Sequence, residues 1–475
     1  MKTITTDYLI VGAGAVGMAF ADVLLSETEH EMVIVDRHAK PGGHWNIAYP
    51  FVTLHQPSAF YGVSSHELSK GRIDPAGPNK GLHELASGTE VSAYFDDVMR
   101  HHFQPSGRVE YFPMCLAEPL EDKTGGEEVV CQPILGGEPF RVKARKRVVD
   151  ATYLKTTVPA NHKPSFTVED GVRFALVNDL PRLKEAPEGY VVIGGGKTGI
   201  DACLWLLQNG ADPDQIRWVM PRDGWMLDRQ NAQPGDSFFE HTIGALARQM
   251  EAIAESTSRA DLFDRLEAAG LLLRLDKDVR PKMFHAATVS RAELDQLRQI
   301  RQVIRMGRIE TLGPNEIVFE QGTLPTSPRQ LHVDCSASAV GNLEMTQVFD
   351  EHLIVPQTVR AFQPVFSAAF VAHVEATFDD DATKNRLCAV VPLPNHHTDW
   401  IRVQAAQMIN QAQWSQDPGL RQWLYENRLD GISRMVRDAP KDDEAKQQIL
   451  AKMREHSMPA MQKLLGYVAE LANEG

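Results

Sequence analysis

The stretch YLIVGAGAVGMAFADVLL, Tyr8–Leu25, decides the fold. A short apolar run leads into Gly12-x-Gly14-x-x-Gly17 and then into a second apolar run long enough for a helix. Glycines at this spacing permit a tight turn, close approach of a pyrophosphate and tight helix-to-strand packing, while the free N–H groups of the helix start stabilise phosphate charge. MVIVDR, Met32–Arg37, follows as a second strand that ends in Asp36, with Arg37 beside it. A carboxylate there accepts hydrogen bonds from ribose hydroxyls. Strand, helix, strand and terminal acid in this order read as a dinucleotide-binding βαβ unit. A glycine-rich turn that only packs such a unit is the alternative.

The pattern recurs in GYVVIGGGKTGIDACLWLLQNG, Gly189–Gly210, with Gly194, Gly196 and Gly199 at the same spacing and Lys197 and Thr198 inside the turn. IRWVMPRDGW, Ile216–Trp225, supplies the next strand, which ends in Arg222 instead of an acid. A guanidinium pairs with a 2′-phosphate that a carboxylate would repel, so this unit leans toward NADPH. Asp223, the next residue, works against that lean and keeps NADH open, as does the alternative of a vestigial site. Two such units in one chain imply FAD in one and a nicotinamide dinucleotide in the other. The fold class is therefore α/β with two Rossmann-like dinucleotide-binding domains.

Composition narrows the partners. The chain has 475 residues, 43% of them hydrophobic and 24% charged, enough for two or three domains with a large core. A formal charge of −14 argues against nucleic acid or an anionic membrane as partner and leaves small molecules. Five cysteines, none in a C-x-x-C pair, describe neither a zinc knuckle nor a dithiol redox centre and fit a reducing cytoplasm. The N-terminal lysine and apolar run resemble a signal peptide, but the glycine spacing explains them better. No apolar run reaches the roughly 18 to 20 residues that span a bilayer.

The text after Asp36 points to a family. Gly42-Gly43-His44-Trp45 matches the G-G-x-W that class B flavin monooxygenases, including the Baeyer–Villiger type, carry after the ribose acid. YPFVTLHQPSAFYG, Tyr49–Gly62, lies without a gap over that family's Y-P-G-x-R-x-D-x-x-S-x-x-Y pattern: Tyr49, Pro50, Ser58 and Tyr61 match, whereas Phe51, Thr53 and His55 do not. Arg222 falls on the family's 2′-phosphate arginine. The resemblance covers roughly Tyr8 to Tyr61 and Tyr190 to Asn231. Elsewhere it fades: VRFALVNDLPRL keeps only Phe174 of the interdomain signature, and DATYLKT has Tyr153 in place of a glycine.

What the resemblance implies is an FAD- and NADPH-dependent monooxygenase that inserts one oxygen of O2 into a small organic substrate through a C4a-(hydro)peroxyflavin. Gly43 would pass close to the flavin, with His44 and Trp45 against it. The family's acid at the position of His55 helps hold a catalytic arginine. An imidazole there would instead donate a proton or hydrogen bond to an anionic intermediate. In the family a helical insert delivers that arginine, and Arg291 and Arg280 are the candidates here, so the catalytic expectation is His55 with Arg291; the alternatives are a histidine hydrogen-bonded in the FAD unit without a chemical role and arginines that are solvated helix or loop charges. A flavin dehydrogenase or reductase without oxygenation and a non-catalytic FAD/NAD(P)H sensor are the alternatives. His44, His55 and His66 recur at equal spacing, but neither helix nor strand periodicity brings them to one ion, so no metal is expected.

The expected domains are 1–160 for the first part of the FAD unit, 185–330 for the nicotinamide unit with a helical insert at about 235–303, and 331–475 for the FAD-domain return and a helical C-terminal segment. ALARQMEAIAES and DLFDRLEAAGLLLRL show helical spacing, and Ser290 with Glu293 forms a capping-box signature for a helix that starts there. LHVDCSASAVGN resembles the strand by which the family returns to the FAD unit. RLCAVVPLPNHHTDW, interrupted by Pro392 and Pro394, reads as a loop that covers the flavin, shapes a substrate pocket or merely connects. From Asp399 the chain is amphipathic helix, packed on the FAD unit or on a second subunit of a homo-oligomer.

Overall fold

The computed structural model describes residues 1–119, 128–337 and 343–474. The first unit runs β1 (Lys2–Val11), α1 (Ala15–Glu27), β2 (Met32–Val35), α2 (Gly88–Val98), β3 (Val109–Phe112), β4 (Cys115–Ala117), β5 (Glu128–Pro133) and β6 (Phe140–Asp150). β1, β2, β3 and β6 are parallel, with β1 between β2 and β6, and the hairpin β4–β5 attaches antiparallel to the start of β6. Met32 to Val35 are all buried, the continuous apolar run that a strand covered on both faces requires.

The second unit comprises β7 (Thr167–Val168), β8 (Phe174–Leu176), β9 (Gly189–Ile193), α3 (Lys197–Gln208), β10 (Ile216–Val219), β11 (Gly224–Asp228), α4 (Phe239–Ala254), α5 (Arg259–Ala268), β12 (Leu272–Leu273), β13 (Met283–Val289), α6 (Arg291–Leu297), β14 (Gln302–Ile304), β15 (Ile309–Leu312), β16 (Glu316–Phe319), β17 (Gly322–Pro325) and β18 (Gln330–Asp334). Its parallel sheet has the order β14-β10-β9-β18-β8. β15 to β17 form an antiparallel meander joined by β7.

The chain then returns through β19 (Phe349–Asp350) and β20 (Leu353–Ile354) and ends in α7 (Pro364–Thr377), α8 (Asp381–Leu387), α9 (Asp399–Trp414), α10 (Pro418–Glu426), α11 (Ile432–Arg437) and α12 (Glu444–Asn473). α7 packs on α1. α1 thus lies between its own sheet and a second helix, which explains why Met18 to Leu24 are all buried, Asp22 among them with its carboxylate accepting from the Ser65 N–H at 2.9 Å.

Three expectations about the organisation are corrected. Gln330–Asp334 is no return strand: it pairs with β9 and β8 inside the second sheet, and β20 returns instead by pairing with Val148 and Val149 of β6. A short apolar run fits a central strand of either sheet, and periodicity does not say which claims it. The end of the quoted stretch, 338–342, lies outside the described residues. The second unit begins before residue 185, because β7 and β8 belong to its sheets. The insert is mixed, since β11, β12 and β13 build a small sheet of their own. The Ser290–Glu293 capping box is present and starts the helix Arg291–Leu297, after which Gln302–Ile304 serves as the edge strand beside β10.

Candidate functional site at the junction of the two units

The first glycine turn has the geometry its spacing predicts. Gly12 takes φ +105°, and a Cβ there would lie 2.9 Å from Thr152 Cγ2. A Cβ on Gly17 would lie 2.0 Å from the Gly12 carbonyl oxygen, so α1 starts flush against the turn. Ala151 and Thr152, directly after β6, form the opposite wall. Asp36 is buried; Oδ2 accepts from the Ala13 N–H at 2.6 Å, and Oδ1 accepts from the His38 N–H at 2.7 Å with His38 Nδ1 at 2.9 Å. These use three of roughly four carboxylate lone-pair positions. Arg37 is exposed.

The Gly-Gly pair lies on that turn. Gly42 and Gly43 both have positive φ, +113° and +57°, and a Cβ on Gly43 would sit 3.0 Å from Gly14 Cα. Trp45 is held by a hydrogen bond from Nε1 to the Tyr61 hydroxyl, 2.8 Å. Burial pushes His44 down to about 4, with the charge of His38 adding to the effect, so its ring is neutral near pH 7. The stretch Ala59–His66 is clamped from the far end of the chain. Arg428 donates to the carbonyls of Ala59 (2.8 Å), Tyr61 (2.9 Å), His66 (2.7 Å) and Val63, and Gly431 sits so close to Phe60 that a Cβ would meet its ring. The C-terminal segment therefore packs on the first unit.

Tyr49 and His55 reach the second unit. The Tyr49 hydroxyl donates to Asp201 Oδ2 at 2.7 Å. Both Asp201 oxygens accept from Lys197 Nζ at 2.5 Å, a pair formed one helical turn apart on α3. Phe51 stacks on Trp205 of the same helix, ring centroids 5.1 Å apart. Burial, then the positive charges of Lys197 and Arg229, hold His55 well below the ordinary histidine value, so its imidazole is neutral.

Arg229 is the buried cation of the junction, 2% exposed. Its Nε donates to the His55 carbonyl at 3.1 Å, Nη1 to Asn79 Oδ1 at 3.3 Å and Nη2 to the Thr288 carbonyl at 3.2 Å, and Nη1 forms an ion pair with Glu293 Oε2 at 2.9 Å. The arginine next to His55 is thus held by that residue's backbone. Arg229, Asp201 and Tyr49 escaped the sequence reading as partners because they lie far apart in the chain. The one signal for Arg229 was a charged residue right after an apolar strand.

The second glycine turn repeats the first. A Cβ on Gly199 would lie 2.0 Å from the Gly194 carbonyl oxygen, which also accepts from Trp218 Nε1 at 2.8 Å. Gly194 takes φ +132° against the Cys335 carbonyl, and a Cβ on Gly196 would meet open space. A cavity of about 20 Å³ beside it is lined by residues that include Gly195, Met220, Trp225 and His285. Arg222 is exposed and donates to Asn395 Oδ1 at 3.0 Å. Asp223 turns inward and pairs with Arg305 at 2.8 and 2.9 Å, which neutralises the charge that opposed a phosphate beside Arg222.

Arg291 is not brought to His55. It is an exposed residue on α6 whose Nε pairs with Asp228 Oδ2 at 2.8 Å, and Arg280 pairs with Asp264 at 2.7 Å on the surface of the insert. Both lie where a charged side chain on a helix or loop is solvated, and the buried position is taken by Arg229. His44, His55 and His66 do not converge; the His66 ring lies against that of His102. The one cluster with metal-ligand geometry among the described residues is Glu251, Glu255 and His456, away from this junction. Among the described residues no helix is long and apolar enough to cross a membrane.

Residues 10–56 match the family described as NAD(P)-binding Rossmann-like domain. The chain is 46% identical over 435 residues to the uncharacterized protein Rv2000 of Mycobacterium tuberculosis, covering 92% of this chain and 79% of the relative. The chain belongs to the family of that mycobacterial protein. Solved structures similar to this family member include a flavin monooxygenase of Stenotrophomonas maltophilia, with 14% identity, TM-score 0.47 and coverage of 80% of this chain and 100% of the other. An oxidized steroid monooxygenase bound to NADP shows 13% identity and TM-score 0.49, with 78% and 85% covered.

Proposed function

We propose that the protein is an FAD- and NADPH-dependent oxidoreductase that monooxygenates a small organic substrate. The observation that carries this reading is the hydrogen bond from Tyr49 to Asp201, which joins the stretch after the first glycine turn to the helix that starts at the second. Two dinucleotides bound at turns so joined would meet across the junction. Gly12, Gly14 and Gly17 would hold the FAD pyrophosphate and Asp36 the ribose, with Gly43, His44 and Trp45 along the flavin. Gly194, Gly196, Lys197, Thr198 and Gly199 would hold the NADPH pyrophosphate, and Arg222 the 2′-phosphate. Both turns fit, because no Cβ is tolerated at Gly17 or Gly199.

FAD held at the first turn would supply the capacity to accept a hydride and to return electrons to O2 or to a substrate. The chain's own residues orient and exclude water. Arg229 fixes the His55 backbone, Trp45 and Tyr61 brace one another, and the neutral His55 ring offers an N–H donor without adding charge. A second reading, reduction of substrate without oxygenation, draws support from Arg229. Three of its five N–H groups are hydrogen-bonded and its charge is paired with Glu293, so it has little left for an anionic reaction partner.

The test is rapid mixing of the purified protein. Flavin released by denaturation should be FAD, and anaerobic NADPH should bleach it. Mixing the reduced protein with O2 should then give an absorbance transient distinct from oxidised and reduced flavin. Direct return to the oxidised spectrum selects the reductase reading, and a protein without flavin ends both.

A further inference from the structure

The loop after Val391 lies against Arg222 and β13, and one of its side chains occupies a position suited to an anion. Arg222 Nη2 and His285 Nε2 lie 3.0 and 3.1 Å from the same atom, Asn395 Oδ1. Two donors from different segments, the turn between β10 and β11 and the middle of β13, thus converge on one oxygen. A neutral amide is a poor partner for a guanidinium, whose geometry suits a carboxylate or phosphate. Among the described residues no carboxylate pairs with Arg222, and its acidic neighbour Asp223 is spent on Arg305.

This point borders the candidate dinucleotide site. A Cβ on Gly195 would lie 3.4 Å from the Arg222 carbonyl oxygen, and the cavity beside Gly196 is lined by His285 as well as by Gly195. The loop backbone is anchored independently of the Asn395 side chain. Asn395 O accepts from the Phe284 N–H at 3.2 Å, the His397 N–H donates to the Lys282 carbonyl at 3.1 Å, and Asp399 accepts from the N–H groups of Asn395 and His396. Swinging the Asn395 side chain away therefore leaves the loop in place. The nearby carboxylate of Asp399 is itself paired with Arg402 at 3.1 Å.

We propose that Asn395 is a displaceable plug in a phosphate seat formed by Arg222 and His285, and that the 2′-phosphate of NADPH takes its place. The inference rests on the reading that the second unit binds a nicotinamide dinucleotide. It assigns to His285 a share in telling NADPH from NADH, because a ribose hydroxyl lacks the charge to draw both donors away from Asn395.

The experiment titrates the full-length protein with NADP⁺ and NAD⁺ by calorimetry, with thermal melts to show that each variant is folded. The wild type should bind NADP⁺ more tightly. His285→Ala should weaken NADP⁺ about tenfold and leave NAD⁺ unchanged, as expected for one charge-assisted hydrogen bond at an open site. Asn395→Ala should tighten NADP⁺ about threefold or more. Equal binding of the two dinucleotides by the wild type, a His285→Ala effect common to both, or weaker NADP⁺ binding by Asn395→Ala overturns the inference while dinucleotide binding stands. Binding of neither dinucleotide overturns the inference and the reading beneath it.

Discussion

Replacing Arg229 by methionine isolates what the junction is worth. The side chain is buried, and its removal leaves Glu293 without its cation and strips a donor from the His55 and Thr288 carbonyls and from Asn79. Breaking a buried pair by removing one partner costs about 3 to 5 kcal/mol, because the remaining charge stays desolvated. At about 2 to 4 °C per kcal/mol for a unit of this size, the melting midpoint should fall by about 6 to 20 °C. The companion is Arg229→Met combined with Glu293→Gln, which removes the stranded charge but keeps an acceptor for the Ser290 N–H of the capping box. It should recover at least half of the loss. Urea midpoints read by tryptophan fluorescence give both values. A single variant within about 1 kcal/mol of wild type, or a double variant as unstable as the single, would refute the account of Arg229 as a charge held in place by Glu293.

Tyr49→Phe removes a hydrogen bond to a charged acceptor and should cost about 1.5 to 3 kcal/mol, seen as faster amide exchange in the first turn of α3. Gly199→Ala drives a methyl group into the Gly194 carbonyl and should abolish nicotinamide binding while FAD stays bound; Gly17→Ala should release FAD, and absorbance with calorimetry separates the two. His44, held down to about 4, makes the folded state refuse a proton that the unfolded chain binds below its ordinary value of 6.5. Its contribution is complete above pH 6.5 and is lost as pH falls toward about 4, so urea midpoints should drop across that window, and His44→Asn should flatten part of the drop. Gly43→Ala forces a side chain into the left-handed region 3.0 Å from Gly14 and should weaken flavin retention on dialysis.

The two glycine turns, their strands and helices and the buried Asp36 were legible in the sequence, because each rests on local chemistry. Only glycine fits where a Cβ would meet the carbonyl oxygen of the turn residue five positions earlier. The capping box at Ser290 and the loop around Pro392 and Pro394 were legible for the same reason. Which sheet takes a short apolar strand was not, because burial in either satisfies it equally, and β18 and β20 exchanged roles relative to the sequence pattern. Nor was the choice of arginine. Arg229, Arg280 and Arg291 look alike in sequence, and only tertiary packing placed one of them beside His55 with four partners and left the others in solvent. Asp201 under Tyr49, Arg428 over Ala59–His66 and Asn395 between Arg222 and His285 belong to the same class. Spacing along the chain determines turns and caps, whereas partners drawn from distant segments are decided by how the sheets and helices close on one another.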